Sequence, residues 1–465
     1  EVIPHLIDSF MRRGMPFESA FVRACRMLKG RFAFVAVHKD FPFVLSARRG
    51  SPLIVGKGEG EYYLASDIPA FLDYTSLVYF IHDGEYVKAE PEEVSFFNFE
   101  TGKKIKKKEE KISWNKADAS KGGWDHFMLK EIMEQKESLL RVLDGDERDV
   151  AASARLLKKT GTPILTACGT AGHACMVAEY LFSDIAGINV QFVHASEFHK
   201  YARFLNAQSV VIPVTQSGET ADVLEAIKDA KTKKAKILSV INARGSSTER
   251  ESDLFLPINA GPEKAVASTK AATSQILMFL LLAYAAAGKE KQGRTILRKD
   301  VKDIISWITE KRLTEIQRIA KQFISARDLF VIGKSSLYPI ALEVALKIKE
   351  VSYIHAEGLP AGELKHGTIA LIEKGTPCVA LIGKNEYTGD ILNSVEELKA
   401  RGASIIGISP ERSESFDYWI QIPDAGAAAP IAHLIPGQIL AYYLATLRGL
   451  DPDKPRNLAK SVTVK

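Results

Sequence analysis

Cysteine is scarce in this chain. Four residues in 465 (Cys25, Cys168, Cys175 and Cys378) form neither a CxxC pair nor a framework spacing. That excludes a disulfide-stapled scaffold and fits free buried thiols in a reducing compartment. Long apolar runs are also missing. The longest, ILMFLLLAYAAA at 276–287, is too short to cross a bilayer and follows the polar ASTKAATSQ, so it reads as a buried helix and no membrane partner is expected. Nor is there an excess of one charge: 62 Lys and Arg stand against 57 Asp and Glu, a net +5. Apart from GKKIKKKEEK at 102–111, which reads as a solvated strand edge or linker, no basic block or aromatic-basic interleaving points to nucleic acid. No signal peptide opens the chain, and a cytoplasmic protein is expected. His194 and His199 flank Glu197, but their spacing fits no zinc pattern, so neither metal nor cofactor is expected. What is abundant is core: 46% of residues are hydrophobic, enough for two to four folded domains.

One pattern is written twice. TPILTACGTAGHACMVAEYLF (162–182) reads as strand, small-residue turn at Gly169 and Thr170, then helix; DLFVIGKSSLYPIALEVALKIKE (328–350) repeats it with the turn at Gly333. A second strand-loop-helix unit follows each, at 209–231 and 376–402, and then a third strand, KILSVINA (236–243) and ASIIGIS (403–409). Strands alternating with helices imply right-handed βαβ units, so the fold class is α/β with two doubly wound parallel-sheet lobes. Residues 301–325 read as the helix joining the lobes. The first 110 residues read instead as short alternating strands broken by turns such as His82-Asp83-Gly84, a separate strand-rich layer, with the boundary in KADASKGGWDHFMLKEIMEQ (116–135). The expected divisions are 1–111, a linker and entry helix at 112–145, a first lobe at 146–300 and a second at 301–465.

Within VIPVTQSGETADV (211–223), strand-forming residues give way to Thr215, Gln216, Ser217, Gly218, Glu219 and Thr220 before a helical pattern resumes. Hydroxyls and free backbone N–H groups at a helix start suit an anion, and Gly218 allows close backbone approach; an ordinary N-cap cluster is the plain alternative. The equivalent loop of the second lobe, Gly383-Lys384-Asn385-Glu386, has no hydroxyl cluster. Thr170, Ser268 and Thr269 fall at other helix starts of the first lobe, which favours a phosphorylated small molecule there. Lys347 and Glu350, three apart, read by themselves as a surface ion pair. By the same measure His366 in GELKHG reads as a solvated or structural histidine, and Lys460, beyond Pro452 and Pro455, as a mobile terminal lysine.

Taken together, CGTAG, TQSGETAD, NARGSSTERESD, AVASTKA, YPIALEVALKIKEVSYIHAEGLPAGELKHGTIALI and DPDKPRNLAKSVTV resemble the glutamine-fructose-6-phosphate aminotransferases, in order and along the whole chain. The resemblance implies that both lobes are sugar isomerase (SIS) modules and that residues 1–111 are the C-terminal part of a class II (Ntn-type) glutaminase domain. It implies synthesis of glucosamine 6-phosphate, for amino-sugar biosynthesis, from fructose 6-phosphate with nitrogen from glutamine or ammonia. The sugar phosphate would be held by Thr170, Thr215, Gln216, Ser217, Thr220, Val266 and Ser268. Glu350 would move the proton between adjacent carbons with Lys347 assisting its charge state. His366 would open the sugar ring from the neighbouring subunit, implying a homodimer, and Lys460 would form a Schiff base with the ketone carbon. Where the family usually has serine after its threonine, this chain has Ala171.

The family's glutaminase uses an N-terminal cysteine, and here residue 1 is Glu1. Cys25 matches no motif for that role. The expectation is that the rest of that domain lies on sequence not included here or on a separate polypeptide, or that the chain uses free ammonia. Competing readings are another SIS enzyme, such as a deaminase or a fructosamine-phosphate deglycase, or a non-catalytic sugar-phosphate sensor; the sensor would tolerate loss of Glu350 and Lys460.

Overall fold

The computed structural model describes residues 1–66, 68–111 and 120–462. Residues 112–119 of the expected linker and 463–465 of the tail lie outside them. The chain divides into two compact units: residues 1–120 with 219–221 and 462 onward, and residues 121–218 with 222–461.

The first unit contains two antiparallel sheets. One has five strands in the order Phe32–Val37, Val44–Arg49, Glu85–Ala89, Val94–Asn98, Lys104–Ile105; the other has four, in the order Tyr62–Ala65, Ile54–Lys57, Leu77–Phe80, Glu110–Lys111. The strand-rich expectation needs one correction. The N-terminal segment forms two helices, Val2–Met11 and Phe17–Met27. Their apolar positions recur at helical spacing (Phe17, Ala20, Phe21, Ala24) and close over Phe32, Leu45 and Phe99.

The second unit holds two parallel sheets of identical strand order. The first runs Gln191–His194, Ile164–Ala167, Val210–Thr215, Lys236–Ile241, Leu254–Pro257; the second runs His355–Pro360, Asp328–Gly333, Pro377–Leu381, Ser404–Ser409, Tyr418–Gln421. Numbered by appearance, both are 2-1-3-4-5. In this order the chain switches direction between strands 1 and 3, and the crevice at their carboxyl ends is where such sheets take ligands. Successive strand residues point to opposite faces. Hence Leu165, Ile212 and Leu238 enter the main core while their neighbours Ile164, Val211 and Ile237 enter a second one under the helix Ala221–Thr232.

The main core runs without a break from the first lobe to the second. It takes in the helices Gly169–Leu181, Lys270–Ala286, Leu337–Ser352 and Ala429–Thr446. The apolar run at 276–287 lies in the buried helix Lys270–Ala286, and among the described residues no helix is long and apolar enough to cross a membrane. A buried amide chain adds direction to this apolar packing: Gln135 Nε2 donates to Gln438 Oε1 at 2.9 Å, and Gln438 Nε2 to the Thr269 carbonyl at 3.2 Å.

Three expectations differ from the structure. The segment 301–325 is not one helix; Glu290–Trp307 ends where Ile308 turns extended, and Glu310–Ala320 starts after Thr309. Gly169 and Thr170, expected as a turn, already form the first turn of the helix Gly169–Leu181. The stretch from 121 to 145, expected as linker and entry helix, groups with the second unit and buries Met128, Ile132, Leu139 and Val142.

Candidate functional site

The helix Leu337–Ser352 carries Glu343, Lys347 and Glu350 at i, i+4 and i+7, one stripe along its length. That stripe faces the N-terminus of Gly169–Leu181. Lys347 Nζ lies 2.5 Å from Glu350 Oε2 and 3.5 Å from Glu343 Oε1, and donates to Thr170 Oγ1 at 3.0 Å. The Thr170 hydroxyl in turn donates to Glu343 Oε1 at 3.0 Å, and His173 Nδ1 sits 2.7 Å from Glu343 Oε2. The surface ion pair expected for Lys347 and Glu350 is therefore corrected: Lys347 and Glu343 are buried, and only Glu350 keeps partial access to solvent. Burial works against the Lys347 charge, but the carboxylates of Glu350 and Glu343 outweigh it and raise its pKa. Burial pushes Glu343 up; Lys347 and the bonds from His173 and Thr170 outweigh that and hold it below the ordinary carboxylate range. The cluster holds its charges because each has a partner.

A second group forms where the strand Val210–Thr215 ends. Thr215 Oγ1 accepts from the Gly218 N–H at 3.1 Å, and Gly218 adopts φ +68°. Its carbonyl accepts from Thr248 N and Oγ1, at 3.0 and 2.9 Å, which fixes the loop against the next connection. Gly218 is required twice over, since a Cβ there would lie 2.0 Å from Ser246 Oγ. Gln216 and Ser217 are half-buried at the rim, and the Gln216 carbonyl accepts from Ala243 N at 3.1 Å. Thr220, just before the helix Ala221–Thr232, groups with the first unit.

The third group surrounds Glu263. Its Oε2 accepts from Ser268 Oγ at 2.9 Å and from Lys460 Nζ at 2.6 Å; its Oε1 accepts from Thr269 N at 2.8 Å. Lys460 is thus ion-paired and not the mobile terminal lysine that the tail composition suggests. Ser461 Oγ donates to Ser217 Oγ at 3.1 Å, bringing the tail to the hydroxyl loop. Val266, half-buried between these groups, donates its N–H to the Asp453 carbonyl at 3.2 Å.

His366 stands apart. It ends the short helical turn Ala361–His366, is exposed, and makes no hydrogen bond or ion pair with any described residue. Among the described residues no cluster of three metal-ligating side chains occurs.

The comparisons with known proteins agree with this geometry. The SIS domain family matches residues 143–285 and 322–448. A glutamine-fructose-6-phosphate aminotransferase (isomerizing) of Thermococcus kodakarensis is 41% identical over 475 residues, covering 100% of this chain and 79% of the relative. One from Methanothermobacter thermautotrophicus is 42% identical, covering 100% and 78%. The chain belongs to the glutamine-fructose-6-phosphate aminotransferase family. The C-terminal domain of such an aminotransferase from Francisella tularensis superposes with a TM-score of 0.67 at 34% identity, covering 72% of this chain and all of that one. A glucosamine-6-phosphate deaminase from Thermotoga maritima, 24% identical with a TM-score of 0.59 over 72% of this chain and 99% of that one, shares the fold. The Ala171 methyl, next to Thr170, packs against the main core.

Sequence reasoning missed Glu343, His173, Glu263 and Ser461. The acid-base-acid stripe at i, i+4 and i+7 was a usable signal for Glu343. Glu263 lies in an irregular connection, and its partners come from positions 268, 269 and 460, so no local pattern marks it.

Proposed function

We propose that this chain makes glucosamine 6-phosphate from fructose 6-phosphate by amination at carbon 2 and ketose-to-aldose isomerisation. The observation that carries the proposal is the buried Lys347, which joins Thr170 of the first lobe to Glu350 of the second. It sets a proton-transfer group beside a loop suited to phosphate. In this reading Thr170, Thr215, Gln216, Ser217, Val266 and Ser268 hold the sugar phosphate. Backbone N–H groups and hydroxyls at helix starts grip its charge.

Lys460 condenses with the ketone, and ammonia displaces it. Glu350 then moves a proton from carbon 1 to carbon 2, with the Lys347 ammonium 2.5 Å from its carboxylate. His366, exposed and without a partner among the described residues, acts on the ring oxygen in the site of a second subunit, and the working form is a homodimer in the cytoplasm. A non-catalytic sensor has no need of three paired ionisable groups at the crevice.

The four thiols are poor candidates for glutamine hydrolysis. Burial pushes Cys25 up to about 12, Cys168 up to about 11 and Cys378 up to about 12, and raises Cys175 as well, so thiolate is scarce at neutral pH. Nitrogen for these 465 residues alone is therefore ammonia, and glutamine hydrolysis belongs to groups outside them. The purified chain with fructose 6-phosphate should form glucosamine 6-phosphate when given an ammonium salt and none when given glutamine. Product from glutamine refutes the nitrogen assignment, and no product from ammonium refutes the whole reading.

A further inference from the structure

Lys460 stands five positions before the last residue, where a long cationic side chain is ordinarily in water. Here its ammonium meets a carboxylate whose side chain is fully buried. Glu263 divides its acceptors. Oε1 takes the backbone N–H groups of Thr269 and Ala271, at 2.8 and 3.2 Å, at the start of Lys270–Ala286; Oε2 takes Ser268 Oγ and Lys460 Nζ. Three of these four donors belong to the 268–271 segment. The carboxylate is thus anchored independently of the tail, and the tail docks onto it.

Resting on the function just described, we propose that Glu263 is a positioning residue that docks Lys460 as an ammonium beside the sugar site. Ser268 and Lys460 share one oxygen of Glu263. From that position Lys460 gives one proton to solvent water, and its lone pair attacks the carbonyl carbon. The two remaining N–H hydrogens leave with the carbonyl oxygen as water, and the C=N bond is complete.

The surrounding charges leave this task to Glu263. Glu131, on the helix Phe127–Met133, accepts from Lys264 N and Ala265 N through Oε1, while its Oε2 is buried without a hydrogen-bond partner. Burial and the Glu263 charge push the Glu131 carboxyl up. Burial also pushes Glu263 up, but the Lys460 charge and the bonds it receives outweigh this and leave it lowered. Lys270, the next cation, is taken by Glu134 at 2.6 Å, and Lys347 by Glu350 and Glu343. Lys460 thus faces one ionised carboxylate, Glu263, and the raised Glu131.

The test is imine trapping in the full chain, with fructose 6-phosphate and cyanoborohydride across a range of pH. Mass spectrometry of the Lys460 peptide reads the adduct, and calorimetry follows sugar binding. The wild-type chain should be trapped at Lys460 with a yield that rises with pH. In Glu263→Gln the amine loses its anionic neighbour, so the midpoint should fall by about 1–3 pH units while sugar still binds. An unchanged midpoint overturns the role of Glu263 and leaves the Schiff-base reading intact. A wild-type chain that binds sugar but is never trapped at Lys460 sinks the Schiff-base reading, and the docking role with it. If Glu263→Gln does not fold, Glu263→Asp carries the test. It keeps the charge but withdraws it by one methylene, so the midpoint should still fall, and an unchanged one again overturns the proposal.

Discussion

Lys347 has one positive charge between two carboxylates of its own helix, and its position is maintained by reciprocal need. Folding lowers the Glu343 pKa, so its contribution to stability is present above the ordinary glutamate value of 4.5 and is lost as pH falls through the lower folded value. Glu343→Gln should therefore lose about 1–3 kcal/mol at neutral pH and show a flatter acid limb than wild type, measured by thermal unfolding between pH 7 and pH 3. Glu350→Gln is a different kind of change, because that side chain keeps some access to the crevice. It should lower turnover by about 100- to 10,000-fold with fructose 6-phosphate binding nearly unchanged, as steady-state kinetics with ammonium would report. At this scale the sequence was legible where chemistry lies along one helix, and illegible where partners converge from distant segments. Lys347 and Glu350 could be picked out as a pair. That Lys347 was buried could not, because its burial depends on Gly169–Leu181 arriving over it.

Among the elements, the turn at Gly218 is the tightest fit beside the site. An alanine there meets Ser246 Oγ and Cβ, at 2.0 and 2.2 Å, in a backbone region that side chains disfavour. Gly218→Ala should weaken fructose 6-phosphate binding, and adding Ser246→Gly should restore most of it, leaving only the left-handed backbone penalty of about 1–2 kcal/mol; calorimetry on the two variants distinguishes these contributions. Helix contacts follow the same logic. Pro436 and Gly437 lie inside Ala429–Thr446 where it packs on Leu337–Ser352, and a Cβ on Gly437 would lie 2.3 Å from Val344 Cγ2. Gly437→Ala should cost about 1–3 kcal/mol in thermal unfolding, and Val344→Ala in the same chain should recover part of it. Repetition of strand, turn and helix made both parallel sheets readable in advance, down to the loop that carries hydroxyls. The break at Ile308 and Thr309 was not readable, because charged and apolar residues keep helical spacing through it and neither glycine nor proline marks the stop. The helices Val2–Met11 and Phe17–Met27 were passed over because the strands after them gave the stronger signal.

In the second unit as a whole, two copies of one strand order share one interior. Leu165 and Ile212 of the first sheet belong to the same apolar cluster as Val331 and Ile406 of the second. Each lobe has a smaller apolar cluster of its own, but the main one is closed only by both together. Residues 121–300 expressed alone should therefore show exposed apolar surface by dye binding and no cooperative melt, and co-expression with 301–465 should restore one. The duplicated grammar announced two lobes and hid their interdependence, since periodicity describes an element and not what covers it.

A shared interior also constrains descent. The two repeats differ at the ligand loop, since the 383–386 connection lacks the hydroxyls of its counterpart, while the faces they turn toward each other are fixed by mutual packing. Substitutions in Leu337–Ser352 must be accepted by helices of the other repeat, so the halves can specialise at their rims only while their inner surfaces drift in step.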